Sequence, residues 1–365
     1  MGSMDRFHWV QLGAAVKHPD QGREIDLGED ARKESGVKDA SLKIVPWTGY
    51  GDANILRQLI MRHQPDAILH FTDPRYWRWL YEIEAEIREN IPILFYHIWD
   101  DLPDPKYNRD YYESCDWLGC ISKQTYGIVS RVGKIKTDTN TPLEDWQVDY
   151  VPHGINPKKV FKTEVPADFK KAALGRKDYK FVLFWMNRNI RRKQPSDVIW
   201  AYKKFVDGLP EKDRKDCCLL MHTAPVDQNG TNLYKVKEAI CPDYDVRFST
   251  SRIGDKELNY LYNLADCTIN IAGNEGFGLT TAESVMAETP IIVNVTGGLQ
   301  DQCGFKIDGK YLTADDYKEI GSLHDYRKWE DKVTHGEWVK PVWSRVQSMT
   351  GSVPTPYIID DKVDV

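Results

Sequence analysis

Short apolar runs alternate along this chain with longer segments whose apolar residues recur every three or four positions. In the first half of the chain the short runs predict strands at residues 9–13, 42–45, 67–71, 93–97 and 117–121. The longer segments 52–63 and 76–89 predict helices, and Asp52 stands where a helix N-cap belongs. Strands and helices in alternation predict a parallel sheet of the α/β class.

A second alternating set follows a polar stretch at residues 137–149. Its predicted strands cover residues 181–185, 217–222, 245–248, 267–271 and 290–293, and its predicted helices cover 196–207, 255–264 and 279–288. We therefore expect two α/β domains, residues 5–152 and 153–365, joined by a hinge near residues 152–157. Ligands of such sheets bind outside the carboxyl ends of the strands, so the loops after strands are the candidate sites.

Residues 304–356 show neither a clean helical period nor a strand period, and we interpret them as an insertion in the second domain. Trp329, Trp338 and Trp343 lie in this insertion. Their indole rings either pack the insertion or form a platform for an acceptor, and packing is the favoured interpretation.

Composition and charge limit the class of protein. The chain has 365 residues, of which 41% are hydrophobic and 28% are charged, as in ordinary folded proteins. Residues 1–150 hold 18 Lys and Arg against 25 Asp and Glu, which makes this half a poor surface for nucleic acid or anionic lipid. The seven cysteines form no ligand-spaced cluster, and no apolar run is long enough to span a membrane. We expect a cytoplasmic protein that binds no metal; its oligomeric state is left open.

The strongest chemical signal is a glycine-rich turn between a predicted strand and a predicted helix. It reads Gly273-Asn-Glu-Gly-Phe-Gly-Leu-Thr-Thr-Ala-Glu283, with one glutamate, Glu275, in the turn and the other in the first part of the helix. Glycines let backbone N–H groups approach a ligand, and a helix N-terminus favours phosphate. The pair suits an anionic, hydroxyl-rich molecule; the alternative is that Glu275 caps the helix and Glu283 is solvated.

A basic turn follows the predicted strand 181–185 and runs Asn187-Arg-Asn-Ile-Arg-Arg-Lys193. A guanidinium and an ammonium at a strand end can neutralise a diphosphate leaving group and so lower the barrier to its departure. The alternative is a solvated basic turn without a ligand.

Together the two motifs resemble the donor site of the retaining glycosyltransferases of family 4, the glycogen synthase and group 1 mannosyltransferase type, which have the GT-B fold. The resemblance rests on Glu275 and Glu283, on Pro290-Ile-Ile-Val and Thr296-Gly-Gly further on, and on Arg188 with Lys193 in the basic turn. It implies two Rossmann-like domains whose parallel sheets face a central cleft. It also implies a UDP-sugar or GDP-sugar as donor and no other cofactor.

The resemblance assigns roles to individual residues. Glu275 would hold hydroxyls of the transferred sugar, Glu283 the nucleotide ribose, and Arg188 and Lys193 the pyrophosphate. Further donor contacts would come from Asn187, Arg252, Ile253, Gly276, Phe277, Gly278, Leu279 and Thr280. Asn187 stands where the family usually has glycine, a change associated with divergent viral-type members.

His97 ends the predicted strand 93–97, at a place where the family carries a histidine. The resemblance implies that His97 approaches the sugar from the opposite wall of the cleft and takes part in catalysis. The alternative is a structural histidine, and Asp100 is the second candidate for that wall.

Both ends of the chain depart from the family pattern. Residues 5–12 align best with the second strand of the family, and residues 357–365 stand where members continue into helices that cross back to the first domain. We therefore expect the usual first strand, its glycine-rich loop and the C-terminal helices to be absent, with residues 5–35 departing from the family fold.

The function these features predict is transfer of a hexose, with retention, from a nucleotide-diphosphate sugar to an acceptor hydroxyl on a glycan, a lipid or another molecule. The alternative is a non-catalytic module that binds the nucleotide sugar, because the missing ends belong to the acceptor side. A nicotinamide-dependent dehydrogenase needs Gly-x-Gly-x-x-Gly between a strand and a helix, and the sequence has none. A metal-using GT-A enzyme needs Asp-x-Asp, a spacing that Asp100, Asp101 and Asp104 do not provide.

Overall fold

A computed structural model of the chain describes residues 4–137, 141–175 and 178–364. The chain divides into two compact units, Met1–Phe95 with Glu113–Trp117, and Tyr96–Tyr112 with Leu118–Val365. The predicted polar stretch 137–149 and the predicted domains include residues 138–140, 176–177 and 365, which lie outside the described residues. The predicted boundary after residue 152 stays a prediction.

The first unit begins with a small sheet. Its strands and helices are β1 (Trp9–Gly13), β2 (Ile25–Asp26), α1 (Gly28–Ser35), β3 (Leu42–Pro46), α2 (Ala53–His63), β4 (Ile68–Phe71), α3 (Arg78–Glu82), α4 (Glu84–Arg88) and the first part of β5 (Ile93–His97). Strands β1 and β3 pair in parallel, and β2 pairs antiparallel with the other edge of β3. In this three-stranded sheet of described residues, β1 is paired on one side only.

The two helices predicted for the first unit, residues 52–63 and 76–89, can be compared with the structure. Helix α2 begins where the N-cap signal placed it, because the Asp52 carboxylate accepts hydrogen bonds from the N–H groups of Asn54 and Ile55. The single helix predicted for residues 76–89 is wrong. A 3-10 turn, Pro74–Trp77, precedes α3, and Ile83, with φ −112° and ψ 13°, interrupts the chain between α3 and α4.

The second unit is built on a larger sheet. The elements that follow β5 along the chain are α5 (Arg109–Glu113), β6 (Trp117–Cys120), α6 (Lys123–Val132), β7 (Val148–Tyr150), α7 (Ala167–Leu174), β8 (Phe181–Met186), α8 (Pro195–Asp207), α9 (Glu211–Arg214), β9 (Cys217–His222), α10 (Leu233–Ile240), β10 (Asp245–Ser249), α11 (Asp255–Leu264), β11 (Cys267–Asn270), α12 (Leu279–Met286), β12 (Ile291–Asn294), α13 (Leu299–Gln302), β13 (Lys306–Ile307), β14 (Lys310–Tyr311), α14 (Asp316–Ile320), α15 (Tyr326–Trp329), β15 (Val339–Val342), β16 (Ser344–Ser352) and β17 (Thr355–Val363). Six of these strands form a parallel sheet in the order β10-β9-β8-β11-β12-β15. The strand β6 pairs in parallel with β7.

Helices cover both faces of the six-stranded sheet. Alternate residues of a strand point to opposite faces, so Trp185 of β8 packs with Tyr202 of α8, whereas Phe184 packs with Tyr262 of α11. All four side chains are fully buried. A strand buried on both faces reads as a continuous apolar run, and this is why β8 and β9 were predicted from the sequence.

The segment 304–356 contains a strand that its sequence pattern did not predict. Strand β15 pairs in parallel with β12 and forms one edge of the six-stranded sheet. Lys340 and Pro341 break its apolar run, and an edge strand tolerates a proline because it needs partners on one side only. The segment is therefore partly sheet and not an insertion throughout.

The tryptophans of this segment make packing contacts. Trp343 is buried beside Phe305, and its indole N–H donates to the Leu323 carbonyl. The Trp338 indole N–H donates to the Gln302 carbonyl, and Trp329 packs against the same core. These contacts agree with the favoured packing role.

The two longest strands, β16 and β17, form an antiparallel hairpin that the sequence analysis missed. Most of β16 is exposed, whereas β17 is partly buried and ends in the buried residues Asp361 and Val363. Val363 belongs to the same hydrophobic cluster as Trp185 and Tyr202. The hairpin is thus anchored in the core of the second unit through β17.

The hydroxyl of Tyr202 provides a test of this core. Tyr202 is fully buried, and among the described residues its hydroxyl oxygen has no hydrogen-bond partner. A buried polar group without a partner costs about 1–3 kcal/mol. Tyr202→Phe should therefore raise the free energy of unfolding by about 1 kcal/mol in urea denaturation. Tyr262→Phe is the matched control, because it removes an equally buried hydroxyl that does have a partner, and it should destabilise. A loss of stability in Tyr202→Phe would contradict this account.

Candidate functional site

The glycine-rich turn lies after β11 and leads into α12. Gly278 has a φ of 86°, a left-handed conformation that favours glycine. Gly297 and Gly298 follow β12 and pack against the turn, where the Gly298 N–H donates to the Glu275 carbonyl at 2.8 Å. A Cβ atom at Gly298 would lie 2.2 Å from the carbonyl oxygen of Gly276. Both glycine motifs are therefore needed to shape the backbone around Glu275.

The carboxylate of Glu275 forms an ion pair with the ammonium group of Lys193. Arg192 lies further out, with its Nη1 atom 3.8 Å from the same carboxylate oxygen. Lys193 is only 6% exposed. Burial lowers the pKa of Lys193 to about 7, the Arg192 guanidinium adds to the effect, and the Asp100 carboxylate opposes it. The buried side chain of Lys193, from the basic turn, thus lies directly beside the carboxylate of Glu275 in the glycine-rich turn.

The two arginines of the basic turn occupy different places. Arg188 is largely exposed and pairs with Asp227, its Nε atom 3.0 Å from the carboxylate, which lowers the pKa of Asp227. Arg192 donates from Nη1 to the Asn274 carbonyl at 2.6 Å and lies 3.5 Å from the carboxylate of Asp100. The structure therefore brings Lys193 and Arg192 to the glycine-rich turn, whereas Arg188 pairs with Asp227 of the loop after β9.

Glu283 lies on α12 and is held by a tyrosine. The hydroxyl of Tyr262 on α11 donates to the Glu283 carboxylate at 2.5 Å. Burial raises the pKa of Glu283, and the Tyr262 hydroxyl opposes the shift. Glu283 is therefore a fixed, half-buried side chain and not a freely solvated one.

His97 and Asp100 differ in their surroundings. His97 is 1% exposed, its Nε2 atom lies 2.9 Å from the Tyr112 hydroxyl, and its ring stacks on Trp99. Asp100 lies next to Arg192 and so belongs to the charged cluster around Glu275. The catalytic role of His97 stays a prediction, and of the two candidates Asp100 is the one in contact with this cluster.

The other predicted donor residues follow the carboxyl ends of parallel strands. Asn187 and Lys193 follow β8, Arg252 and Ile253 follow β10, and the turn with Gly276, Phe277, Leu279 and Thr280 follows β11. In one parallel sheet these ends share an edge, which is where α/β proteins bind ligands. The side-chain amide nitrogen of Asn187 is buried there without a hydrogen-bond partner among the described residues.

Two residues at the turn, Asn274 within it and His153 packed against it, were given no role from the sequence. Asn274 precedes Glu275, and its side-chain amide donates to the Asp101 carboxylate. The ring of His153 lies 5.4 Å from that of Phe277, and burial lowers the pKa of His153. Asn274 stood inside the recognised motif, but the pattern gave no sign of its partner far away in the sequence.

Asp301 joins three segments near the turn. It follows Gly298 on α13, and its Oδ2 atom accepts hydrogen bonds from the Lys123 N–H and the Tyr150 hydroxyl, both at 3.0 Å. Burial raises the pKa of Asp301 to about 6. The carboxylate therefore ties the start of α6 and the end of β7 to the segment that backs the glycine-rich turn.

This arrangement is suited to an anionic, hydroxyl-rich ligand. Lys193 and Arg192 offer positive charge, Glu275 and Glu283 offer hydrogen-bond acceptors for hydroxyls, and the start of α12 offers backbone N–H groups. Over the described ranges, no three His, Cys, Asp or Glu side chains are grouped as metal ligands. Also within those ranges, no helix combines the length and apolarity needed to cross a bilayer.

Comparison with known sequences gives partial matches. No protein-family model matches the chain. Over 116 residues it is 29% identical to the trehalose synthases of Thermococcus litoralis and Pyrococcus furiosus, which covers 31% of this chain and 27% of each relative. Over 191 residues it is 24% identical to the alpha-monoglucosyldiacylglycerol synthase of Acholeplasma laidlawii, covering 52% of this chain and 44% of that protein. The chain thus matches only about a quarter of the length of the trehalose synthases.

Comparison with solved structures extends over most of the chain. The apo structure of OtsA superposes with a TM-score of 0.59 at 13% identity, covering 86% of this chain and 90% of that one. Anabaena HepE, solved in complex with UDP and glucose, gives a TM-score of 0.55 at 12% identity, covering 83% and 80%. An E. coli trehalose-6-phosphate structure bound with UDP-2-fluoro glucose gives 0.57 at 14% identity, covering 80% and 78%. These neighbours have the GT-B fold, so the fold implied by the sequence motifs is confirmed.

The raised pKa of Asp301 predicts a pH dependence of stability. The ordinary pKa of an aspartate is about 3.9, so the folded protein holds this proton more tightly than the unfolded chain does. The resulting stabilisation is complete below pH 4 and is lost as the pH rises towards 6. Asp301→Asn keeps an acceptor oxygen and removes the charge. The free energy of unfolding of Asp301→Asn minus that of the wild type should therefore increase from pH 4 to about pH 6. Above that pH the difference should stay constant.

Urea denaturation at pH 4, 5, 6 and 7 measures this difference. Asp66→Asn, which changes an exposed carboxylate, serves as the control and should show no such growth. A difference for Asp301→Asn that stays constant over this range would contradict the assignment.

Proposed function

We propose that this chain is a retaining glycosyltransferase of family 4, of divergent type, that transfers a hexose from a UDP-sugar or GDP-sugar to an acceptor hydroxyl. The observation that carries the proposal is the ion pair between the buried Lys193 of the basic turn and Glu275 of the glycine-rich turn, with Glu283 fixed on the following helix. A cation and two carboxylates at this edge of the sheet match the three parts of such a donor: diphosphate, sugar and ribose.

Each part of the donor has a partner in the proposal. Glu283, held by Tyr262, accepts hydrogen bonds from the ribose hydroxyls. Glu275 accepts them from the sugar, and Lys193 binds the diphosphate once it turns from Glu275 to the ligand. Arg192 joins Lys193 in this role, because it already lies beside the turn.

The reaction follows from this placement. The bond between the anomeric carbon and the diphosphate oxygen breaks, while the acceptor oxygen attacks the same face of the sugar. The leaving phosphate takes the acceptor proton, and the cations stabilise the charge that develops on it. Positioning and electrostatics supply the catalysis, so no pair of glycosidase-type carboxylates is required. We expect donor binding to persist in EDTA, because Lys193 and Arg192 provide the positive charge.

The comparisons support the donor class. HepE is solved with UDP and glucose, and the E. coli protein with UDP-2-fluoro glucose. The curated relatives are named as synthases of trehalose and of a glucosyl lipid, which are products of sugar transfer. One name refers to a sugar and the other to a lipid, so both acceptor classes stay within the proposal.

The first prediction from this proposal concerns nucleotide binding. UDP or GDP should raise the melting temperature in a thermal-shift assay, with and without EDTA, whereas NAD should leave it unchanged. A ligand at 100 times its dissociation constant adds about 2.7 kcal/mol of stability. No shift with either nucleotide would contradict the proposal. A shift without any release of UDP or GDP from the sugar nucleotide, with or without acceptors, would favour the non-catalytic binding module.

The second prediction concerns the division of roles between the carboxylates. Glu283→Ala should weaken the binding of UDP and of UDP-glucose alike. Glu275→Ala should weaken the binding of UDP-glucose and leave the binding of UDP intact. Each lost charged hydrogen bond is worth about 1.5–3 kcal/mol, or at least tenfold in affinity. Titration calorimetry measures both ligands, with GDP and GDP-mannose as the second pair. Glu211→Ala, on the surface of α9, is the control. Equal losses of nucleotide and sugar nucleotide in Glu275→Ala would refute this division.

A further inference from the structure

Three segments of the second unit meet at Asn274, the residue directly before Glu275. Asn274 is buried, and its amide nitrogen donates one hydrogen bond to the Asp101 carboxylate and another, of 3.0 Å, to the carbonyl of Ile359 on β17. Its own carbonyl accepts a hydrogen bond of 2.6 Å from Arg192. Both amide hydrogens and the backbone oxygen of this residue are therefore in use.

We propose that Asn274 is a positioning residue, which holds Glu275 in place for the sugar by fixing the glycine-rich turn to Asp101 and to β17. The turn contains Gly273, Gly276 and Gly278, whose backbones have little conformational preference of their own. The contacts of Asn274 supply the restraint that the glycines lack. This inference rests on the proposed function, because it concerns how the same site distinguishes a nucleotide sugar from a nucleotide.

Strand β17 supports both sides of the site. Its Asp361 carbonyl accepts a hydrogen bond of 2.9 Å from Gln194, the neighbour of Lys193, just as its Ile359 carbonyl accepts one from Asn274, the neighbour of Glu275. The Ile359 N–H in turn donates to the carbonyl of Leu102. Strand β17 thus holds both Gln194, the neighbour of Lys193, and Asn274, the neighbour of Glu275.

The chemistry of the amide makes the proposal testable. Asn274→Asp keeps the shape of the side chain, removes both donated hydrogen bonds and places a second carboxylate against Asp101. The double variant Asn274→Asp/Asp101→Asn exchanges donor and acceptor, so it restores the hydrogen bond between the two positions in the opposite direction. A role limited to side-chain volume would not respond to this exchange.

The experiment compares the affinities for UDP and UDP-glucose, and for GDP and GDP-mannose, by titration calorimetry. In the wild type the sugar nucleotide should bind more tightly than the nucleotide. Asn274→Asp should lose about tenfold or more of the sugar-nucleotide affinity and keep the nucleotide affinity within about twofold, and the double variant should recover a large part of the loss. Asn90→Asp, an exposed position in the first unit, is the control and should change neither affinity.

Every outcome decides between the proposals. If the wild type binds none of the four ligands, the proposed function fails and this inference fails with it. If the wild type binds them but Asn274→Asp keeps the wild-type ratio of affinities, loses both ligands equally, or is not rescued by the exchange, the positioning role is overturned and the proposed function stands. Should Asn274→Asp fail to fold, Asn274→Ala removes the same hydrogen bonds without adding a charge and is judged by the same ratio.

Discussion

The burial of one ammonium group, that of Lys193, sets the conditions for the site around it. Taking an ion out of water costs several kcal/mol unless a partner of opposite charge and further hydrogen bonds compensate it. Glu275 is that partner, and it reaches Lys193 from a turn that depends on Gly278 for its left-handed backbone and on Gly298 for close packing. Gly278 and Gly298, which belong to two separate motifs, thus both serve to place the Glu275 carboxylate beside the Lys193 ammonium group.

Much of the fold could be predicted because its central strands are buried on both faces. Strands such as β8 and β9 therefore appear in the sequence as uninterrupted apolar runs. Prediction failed where the local pattern is ambiguous. Strand β15 is an edge strand containing Lys340 and Pro341, and the break between α3 and α4 falls at Ile83, where neither glycine nor proline announces it. Edge pairing and helix breaks are decided by the surrounding structure, which a single sequence does not show.

The candidate site divides in the same way between local and distant information. Glu275, Glu283 and Lys193 belong to compact motifs whose spacing is visible in the sequence, and the structure places Glu275 and Lys193 in contact. The role of Arg192 beside the turn was not foreseen, because Arg188 and Arg192 are chemically identical and differ only in which carboxylates the fold brings to them. The contact between Asn274 and Asp101 joins residues 173 positions apart. Such a contact has no signature in periodicity or motif spacing.

The position of β17 in the chain has a consequence for how the protein is made. Residues of this strand accept hydrogen bonds from Asn274 and from Gln194, the latter 167 positions earlier. Contacts of such long range form late in folding, because the chain between them must first be ordered, and a ribosome delivers the chain from its N-terminus at about 5–20 residues per second. The first five strands of the six-stranded sheet are synthesised well before β17 leaves the ribosome. During that interval the glycine-rich turn lacks the hydrogen bonds that β17 accepts from Asn274 and Gln194.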